Sequence, residues 1–451
     1  MAATARGAPP PKHAWSLSDR PGTRIDDENE YLFAAEAVPV LPVDEAERYV
    51  ESLKEFRMED VGSGPWLRQH ERLVRLNLQA HQNAMARTDE FVLEAIMTFD
   101  KIPVLVHELL LIEAWREFVF PRLCETELFQ SGRVNMRAYF TLYHEATLTN
   151  LLEVVLYHRH VCEKAGELLV EVVDYAARRV AALNSPRRWR DAQPNSAAKE
   201  FVAQLAARTP TEELAAQADE LDFRASVTAV AVLRFVCEHL SALPLPVATR
   251  VLDTHDILMG LIPLIENPPW TRRLPNGRWQ KVHDFQWRDV SRADLLKVTR
   301  TEGQVWLALF HLVCGAESRR RYRFHSFRKE SLLRVRKFVN EVLLDQLPVL
   351  ADVQRFMDEL AISDAPEPTQ LPPGNLLVEQ VPQVREGLLR GRDWDALAAA
   401  AIAVVFGAQT DATDADLRRI GAMYQEDGLH GLLEPLNATP SDAAGEPTVA
   451  A

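Results

Sequence analysis

Apolar residues recur at helical spacing through most of the chain. From Leu151 onward, Leu151, Val155, His158, Cys162, Ala165, Leu169, Val172, Ala176 and Val180 return every three or four positions, as one face of a helix does. Leu152, Val154, Leu168 and Val173 widen that stripe, so the helix is gripped from more than one side. Gly166 is the one interruption, at about 1 kcal/mol relative to Ala. The pattern predicts a central helical pair over 139–182, with helical layers on either side.

The same reading extends along the chain. Residues 1–38, rich in Pro, Ala and charge, read as a disordered extension. Asp44 caps a predicted helix to about Met58, with Ala46, Tyr49, Val50, Leu53 and Phe56 on its apolar face. After the turn Gly62-Ser63-Gly64-Pro65, a second helix starts near Trp66 and turns Leu67, Leu73, Leu76 and Ala80 inward. Residues 184–200 form a polar linker. Thr209-Pro210-Thr211-Glu212 is a capping box with Pro at the first helical position. It opens a helix through Leu214, Ala215, Ala218 and Leu221, and a separate helix follows over Ser226–Ser241. Leu274-Pro275-Asn276-Gly277 marks a loop or short hairpin inside an insertion at 268–290. Helices resume at Ser291 and at Thr301–Val313, and a long one is expected over Phe327–Gln346. A Pro-rich connection at 364–374 leads into a C-terminal helical segment, 363–436, and residues 437–451 read as a disordered tail.

Two stretches share a local logic. KIPVLVHELL at Lys101–Leu110 and GLIPLIEN at Gly260–Asn267 align Ile102 with Ile262, Pro103 with Pro263, Val104 with Leu264 and Leu105 with Ile265. Proline is accepted in a helix's first turn, where its missing N–H had no intrahelical partner. The copies lie roughly four repeats of about 40 residues apart. The expected fold is therefore all-α, an armadillo/HEAT-like α-solenoid of stacked helical pairs over 39–362.

Composition narrows the functional classes. The 451 residues are 47% hydrophobic and 26% charged, and 51 basic against 65 acidic side chains give a net charge of −14. That balance argues against general nucleic-acid binding. No uninterrupted apolar run approaches the roughly 20 residues of a membrane span, so no membrane partner is expected. Cys124, Cys162, Cys237 and Cys314 are too scattered for a CxxC pair and read as reduced, buried thiols. The first residues lack the apolar core of a secretory signal.

Candidate chemistry is sparse. His144-Glu145 begins an HExxH match, but Leu148 holds the second ligand position. His158 and His160, two apart, point to different sides of a helix, and His158 falls on the apolar stripe as a core histidine would. His311 and Cys314 share a face but lack two further zinc ligands. No GxxxxGK[ST] or GxGxxG phosphate loop occurs. The carboxylates read as solvated helical positions. No enzyme activity, catalytic residue, metal or cofactor is expected.

The remaining features concern partners. Arg319, Arg320, Arg321, Arg323, Arg328, Lys329, Arg334, Arg336 and Lys337 form a basic cluster in an acidic chain. It is either a solvated face or a dock for an acidic peptide, since arginine forks match carboxylates. Trp270, Trp279 and Trp287 fall in the predicted loop insertion, where they either anchor a partner or pin the loop.

Several collinear blocks also resemble a known family. They are WLRQHERLVRLNLQAH (66–81), KIPVLVHELLLIEAWREFVFPRLC (101–124), YHEATLTNLLEVVLYHRHVCE (143–163), DTHDILMGLIPLIENPPWTRR (253–273), GQVWLALFHLVCGAESRRRY (303–322), LLDQLPVL (343–350) and LVEQVP (377–382). Together they are similar to the MYND-type zinc-finger family of axonemal dynein arm assembly, over roughly 40–425. The resemblance implies a cytoplasmic, co-chaperone-like scaffold of ciliated cells, working near basal bodies or centriolar satellites. Its implied partners are Hsp90-class chaperones, an FKBP-type immunophilin, a leucine-rich-repeat dynein assembly factor and axonemal dynein chains. The family's finger is a C-terminal cluster of Cys and His ligands, whereas no cysteine follows Cys314 here. The resemblance thus covers the helical body. It leaves zinc, and the leucine-rich-repeat partner linked to the finger, without a carrier in this sequence.

Overall fold

The computed structural model describes residues 41–185, 209–362, 382–406 and 415–420, apart from positions 133, 275, 284 and 416. The expected N-terminal extension before residue 41, the linker beyond Ser185, the Pro-rich connection and the tail lie outside the described residues.

The described chain is almost wholly helical. Helix α1 (Val43–Ser52) starts after Pro42, with Asp44 inside its first turn rather than capping it, and stops at Ser52, short of the expected Met58. Beyond it, side chains compete for the backbone. Gln69 accepts from the Lys54 N–H at 3.1 Å and donates to the Lys54 carbonyl at 2.8 Å, while Glu108 accepts from the Phe56 N–H at 2.7 Å. Leu53 and Phe56 are buried on an extended path instead. Helix α2 (Gly64–Ala86) has Pro65 in its first turn and buries Leu67, Leu73, Leu76 and Ala80, as its pattern predicts. Helices α3 (Phe91–Thr98) and α4 (Ile102–Ala114) follow, the latter with Pro103 in its first turn. A π-turn at Trp115–Val119 then leads to the short α5 (Phe120–Cys124) and α6 (Glu127–Gln130).

The stretch 139–182 departs from a simple pair. It holds α7 (Asn135–Leu156), α8 (Arg159–Ala165) and α9 (Leu169–Leu183). The chain breaks at His158, which takes an extended conformation (ψ 121°), and again at Gly166, whose φ of +54° suits glycine alone. The stripe from Leu151 to Val180 is thus shared among three helices. His158 is half-buried beside Glu90, with Nε2 2.7 Å from the carboxylate, and is not a core histidine.

The central element is α10 (Pro210–His239). Its capping box is present in full: Thr209 accepts from the Glu212 N–H and Glu212 accepts from the Thr209 N–H. The two helices expected here are one, because Leu221, Asp222, Ala225 and Ser226 stay buried across the expected break. By length and apolar composition α10 could cross a bilayer, but 78% of its most apolar window is buried inside the protein, as in a core helix.

After α11 (Leu245–Thr249), α12 (Ile257–Glu266) corrects the repeat reading. Pro263 lies inside this helix, not in its first turn, so the Ile262-Pro263 pair is no counterpart of the helix start at Ile102-Pro103. The insertion folds as an antiparallel sheet of β1 (Thr271–Arg273), β2 (Trp279–His283) and β3 (Gln286–Val290), in the order β1-β2-β3. Trp279 pairs with Arg273 on one side and Val290 on the other. Only a 3₁₀ turn, Asp294–Leu296, stands near Ser291. Helix α13 (Arg300–Cys314) has a second capping box, from Thr299 and Glu302, and α14 (Ala316–Arg321) follows.

The long helix expected over 327–346 is broken into α15 (Ser326–Val335), a 3₁₀ turn and α16 (Glu341–Gln346). Asn340 restarts the chain by accepting from the Leu343 N–H at 3.0 Å. Helix α17 (Leu350–Ile362) completes the body, and α18 (Val384–Leu389) and α19 (Trp394–Ala400) form the C-terminal segment with a π-turn at Ala401–Phe406.

Packing runs in chain order. Helix α2 packs on α7, α7 on α10, α10 on α13 and α13 on α17. Alongside them α4 packs on α7, α9 on α10, and α12 on α9, α13 and α15. The core is continuous from Leu41 to Ile420.

Candidate interaction surface

The basic cluster splits into two kinds of arginine. Helix α14 puts Arg319, Arg320 and Arg321 in its last turn, and Tyr322 and Phe324 then bury themselves, leaving Arg323 exposed between them. Several cationic side chains are already paired. Arg320 meets Glu317. Arg321 donates to Thr249 Oγ1 at 3.0 Å and stands 3.5 Å from Asp253, which ties α14 to α11. Arg328 holds Asp256 at 2.7 Å, Arg334 holds Glu266 at 3.0 Å, and Arg336 holds Asp358 at 2.7 Å. Arg319 instead lies over the Phe356 ring at 5.7 Å.

Arg319 lines a groove of about 330 Å³ between α13, α14 and α17, with Phe310, Cys314, Asp352, Arg355, Phe356 and Glu359. Two aromatic rings, two guanidiniums and two carboxylates suit a mixed-charge peptide side chain better than a reacting small molecule. Burial raises the Cys314 thiol above its ordinary pKa, the opposite of what a nucleophile needs.

The tryptophans lie elsewhere. Trp270 is 1% exposed, so its ring is core and offers no surface, a correction to its expected role as an anchor. Trp279 is half-buried on β2, with Arg273 over its face at 5.9 Å, and Arg272 covers Trp287 at 4.0 Å. The sheet is fastened to the N-terminus of α13 by the buried Lys281, which reaches Glu302 at 3.0 Å. Helix α14 follows the other end of α13, about 20 Å away at 1.5 Å per residue. The arginines and tryptophans therefore form no common patch.

The charges hidden from the sequence lie in the core. Glu113 of α4, Glu145 of α7 and Asp222 of α10 are all buried, contrary to the reading of the carboxylates as solvated. Arg178 grips Glu113 with bonds of 2.8 and 2.6 Å. Arg179 reaches Glu113 at 3.1 Å, Glu145 at 3.5 Å and Asp222 at 2.5 Å. Arg116 joins Glu145 at 2.7 Å and Asp222 at 2.9 Å. Burial pushes the Glu113 carboxyl up, but Arg178 and its neighbours outweigh that and hold it below the ordinary range. Three carboxylates face three guanidiniums, an arrangement that locks helices and moves no proton. A signal was present: Glu113 is the one charged residue in the otherwise apolar run LLLIEAW.

A second buried pair joins α2 to α7. His70 Nδ1 and His144 Nδ1 are 2.9 Å apart, with Trp66 stacked on His70 and tilted against His144. Burial lowers the His70 pKa to about 3 and drives that of His144 well down too, where a charge on His70 adds to the effect. Both rings are neutral, and one Nδ1 donates to the other. Among the described residues, no group of three or more His, Cys, Asp and Glu is placed to hold a metal ion. The four cysteines are free, with Cys162 and Cys237 buried and Cys124 and Cys314 half-buried.

No family model and no solved structure matches the chain. A curated relative does: the zinc finger MYND domain-containing protein 10 homolog of Drosophila melanogaster is 30% identical over 344 residues, which cover 76% of this chain and 72% of the relative. The aligned length is too great for a shared motif alone and extends through most of the helical body. The chain belongs to the family of zinc finger MYND domain-containing protein 10 homologues.

Proposed function

We propose that the chain is a non-enzymatic scaffold for the cytoplasmic pre-assembly of axonemal dynein arms, needed for ciliary motility. Family membership over 344 residues is the observation that carries this reading. The packing order supports a mechanism. In this reading the stacked helices act as an armadillo-like solenoid, whose long rigid surface would raise the effective concentration of whatever it holds together. Its partners in this reading are Hsp90-class chaperones, an FKBP-type immunophilin and dynein chains; the leucine-rich-repeat dynein assembly factor, linked in the family to the finger, is not among those the helical body accounts for. Arg319, which lines the α13–α14–α17 groove, and the exposed Arg320 and Arg323 dock an acidic segment of one of these partners, and Trp279 serves a separate contact.

Deleting the gene in a ciliated cell tests this. Cilia of near-normal number should form without dynein arms, and the unassembled heavy chains, large and aggregation-prone, should fall in the cytoplasm. Arms that persist beside abundant cytoplasmic heavy chains would overturn the assignment. Recovery of the protein with washed axonemes would favour a built-in structural component instead.

A further inference from the structure

The C-terminal segment lies in a trough built wholly from the first half of the chain. At one end Glu171 of α9 accepts from the Val384 N–H at 2.6 Å and the Arg385 N–H at 3.5 Å, at the start of α18. Arg385 then reaches Glu117 at 2.7 Å and Glu113 at 3.4 Å. Midway, Trp394 stacks on Phe118 with centroids 4.7 Å apart, and Arg392 pairs with Glu59 at 2.9 Å. At the far end Phe406 is 1% exposed against Trp115 and Phe129, and Arg137 donates to both the Val405 and Gly62 carbonyls.

Two features set this contact apart from ordinary core. First, the buried ion network is complete without the segment. Glu113 keeps Arg178 and Arg179, and the three carboxylates remain matched by three guanidiniums, so withdrawing Arg385 strands no buried charge. Second, the recognition is that of a peptide site. Glu171 caps backbone N–H groups, Glu113 and Glu117 receive one arginine, and three aromatic rings receive two more. Main-chain hydrogen bonds at one end and apolar anchors beyond it are two of the means by which grooves hold peptides.

We propose that this trough is a peptide-docking site, occupied in cis by residues 384–406 of this chain and open to exchange with a helical segment of the same chemistry. Such a competitor carries arginine at its second helical residue, an aromatic residue nine positions on and another twelve beyond that. The inference does not depend on the dynein reading.

The test uses the full chain with a specific protease site inserted after Gly374. After cutting, the fragment from 375 onward should stay bound, and a fluorescent peptide of residues 383–406 should replace it in the folded protein. Glu171→Gln removes the charge on the cap and should speed that replacement at least tenfold. In the uncut chain, the amides of 384–406 should exchange with deuterium at least tenfold faster than those of α7. Peptide entry only at the rate of global unfolding, with equal amide exchange, would overturn the proposal by making the segment integral core. Loss of the fragment on cutting, with no peptide binding, would overturn it too.

Discussion

Two concentrations of charge in this molecule behave in opposite ways. The arginines of 319–336 are neighbours in sequence and mostly find acids on nearby helices at the surface. The charges of Glu113, Arg116, Glu145, Arg178, Arg179 and Asp222 come from four helices and a turn, and meet in the core. The first group is conspicuous in the sequence, and its exposed pairs, those of Arg320, Arg334 and Arg336, contribute little to holding the fold, since solvent screens them. The second is scattered in the sequence and fixes how α4, α7, α9 and α10 meet. Clustering along a chain thus says little about where charge matters most.

The largest expected effect tests the buried side. Glu145→Ala leaves Arg116 and Arg179 short of a partner and should destabilise the chain by about 3–5 kcal/mol in urea unfolding. A loss below about 1 kcal/mol would mean that water enters the network and the contrast is false.

Acid probes a different buried group. His70 and His144 are neutral when folded, whereas an unfolded histidine takes up a proton near pH 6.5. Below that pH the unfolded state binds more protons, so stability should fall by a few kcal/mol from about pH 6.5 toward pH 3. His70→Gln should flatten that slope in unfolding curves taken at successive pH values, and an unchanged slope would assign it to other groups.

Smaller effects sharpen the surface side. Arg321→Glu sets a carboxylate against Asp253 and Glu317 and should cost about 1 kcal/mol. Arg323→Glu, on an exposed side chain, should stay within about 0.5 kcal/mol. If that second variant weakens partner capture at unchanged melting temperature, the surface cluster has a role in binding rather than folding. Equal melting shifts for the two variants would erase the distinction drawn between them.

Legibility in the sequence followed the range of the interactions. Both the Thr209 capping box and the Pro103 helix start were readable because every participant lies within four residues. Helical class was readable from the apolar spacing. The breaks at Leu53 and His158 were not, because the first depends on Gln69 and Glu108 reaching back and the second sits beside Glu90 from another helix. Pro263 misled because an Ile-Pro pair looks the same in a helix interior as at a helix start. Trp270 misled for a related reason: loop-like neighbours do not reveal that the indole turns into the core. Burial of Glu113 was hinted at by its apolar neighbours, but the partners in the ion network and the trough were not legible, since paired members lie up to 333 positions apart.

That separation has a consequence for the newborn chain. Glu113 leaves the ribosome 272 residues before Arg385. The trough is complete once Glu171 has emerged, 213 residues before Val384, so at about 5–20 residues per second it stands unfilled for roughly 10–45 s of every round of synthesis. Through that interval Trp115, Phe118 and Phe129 face solvent beside a row of carboxylates, and capture of the nascent chain there would be a matter of timing as much as affinity.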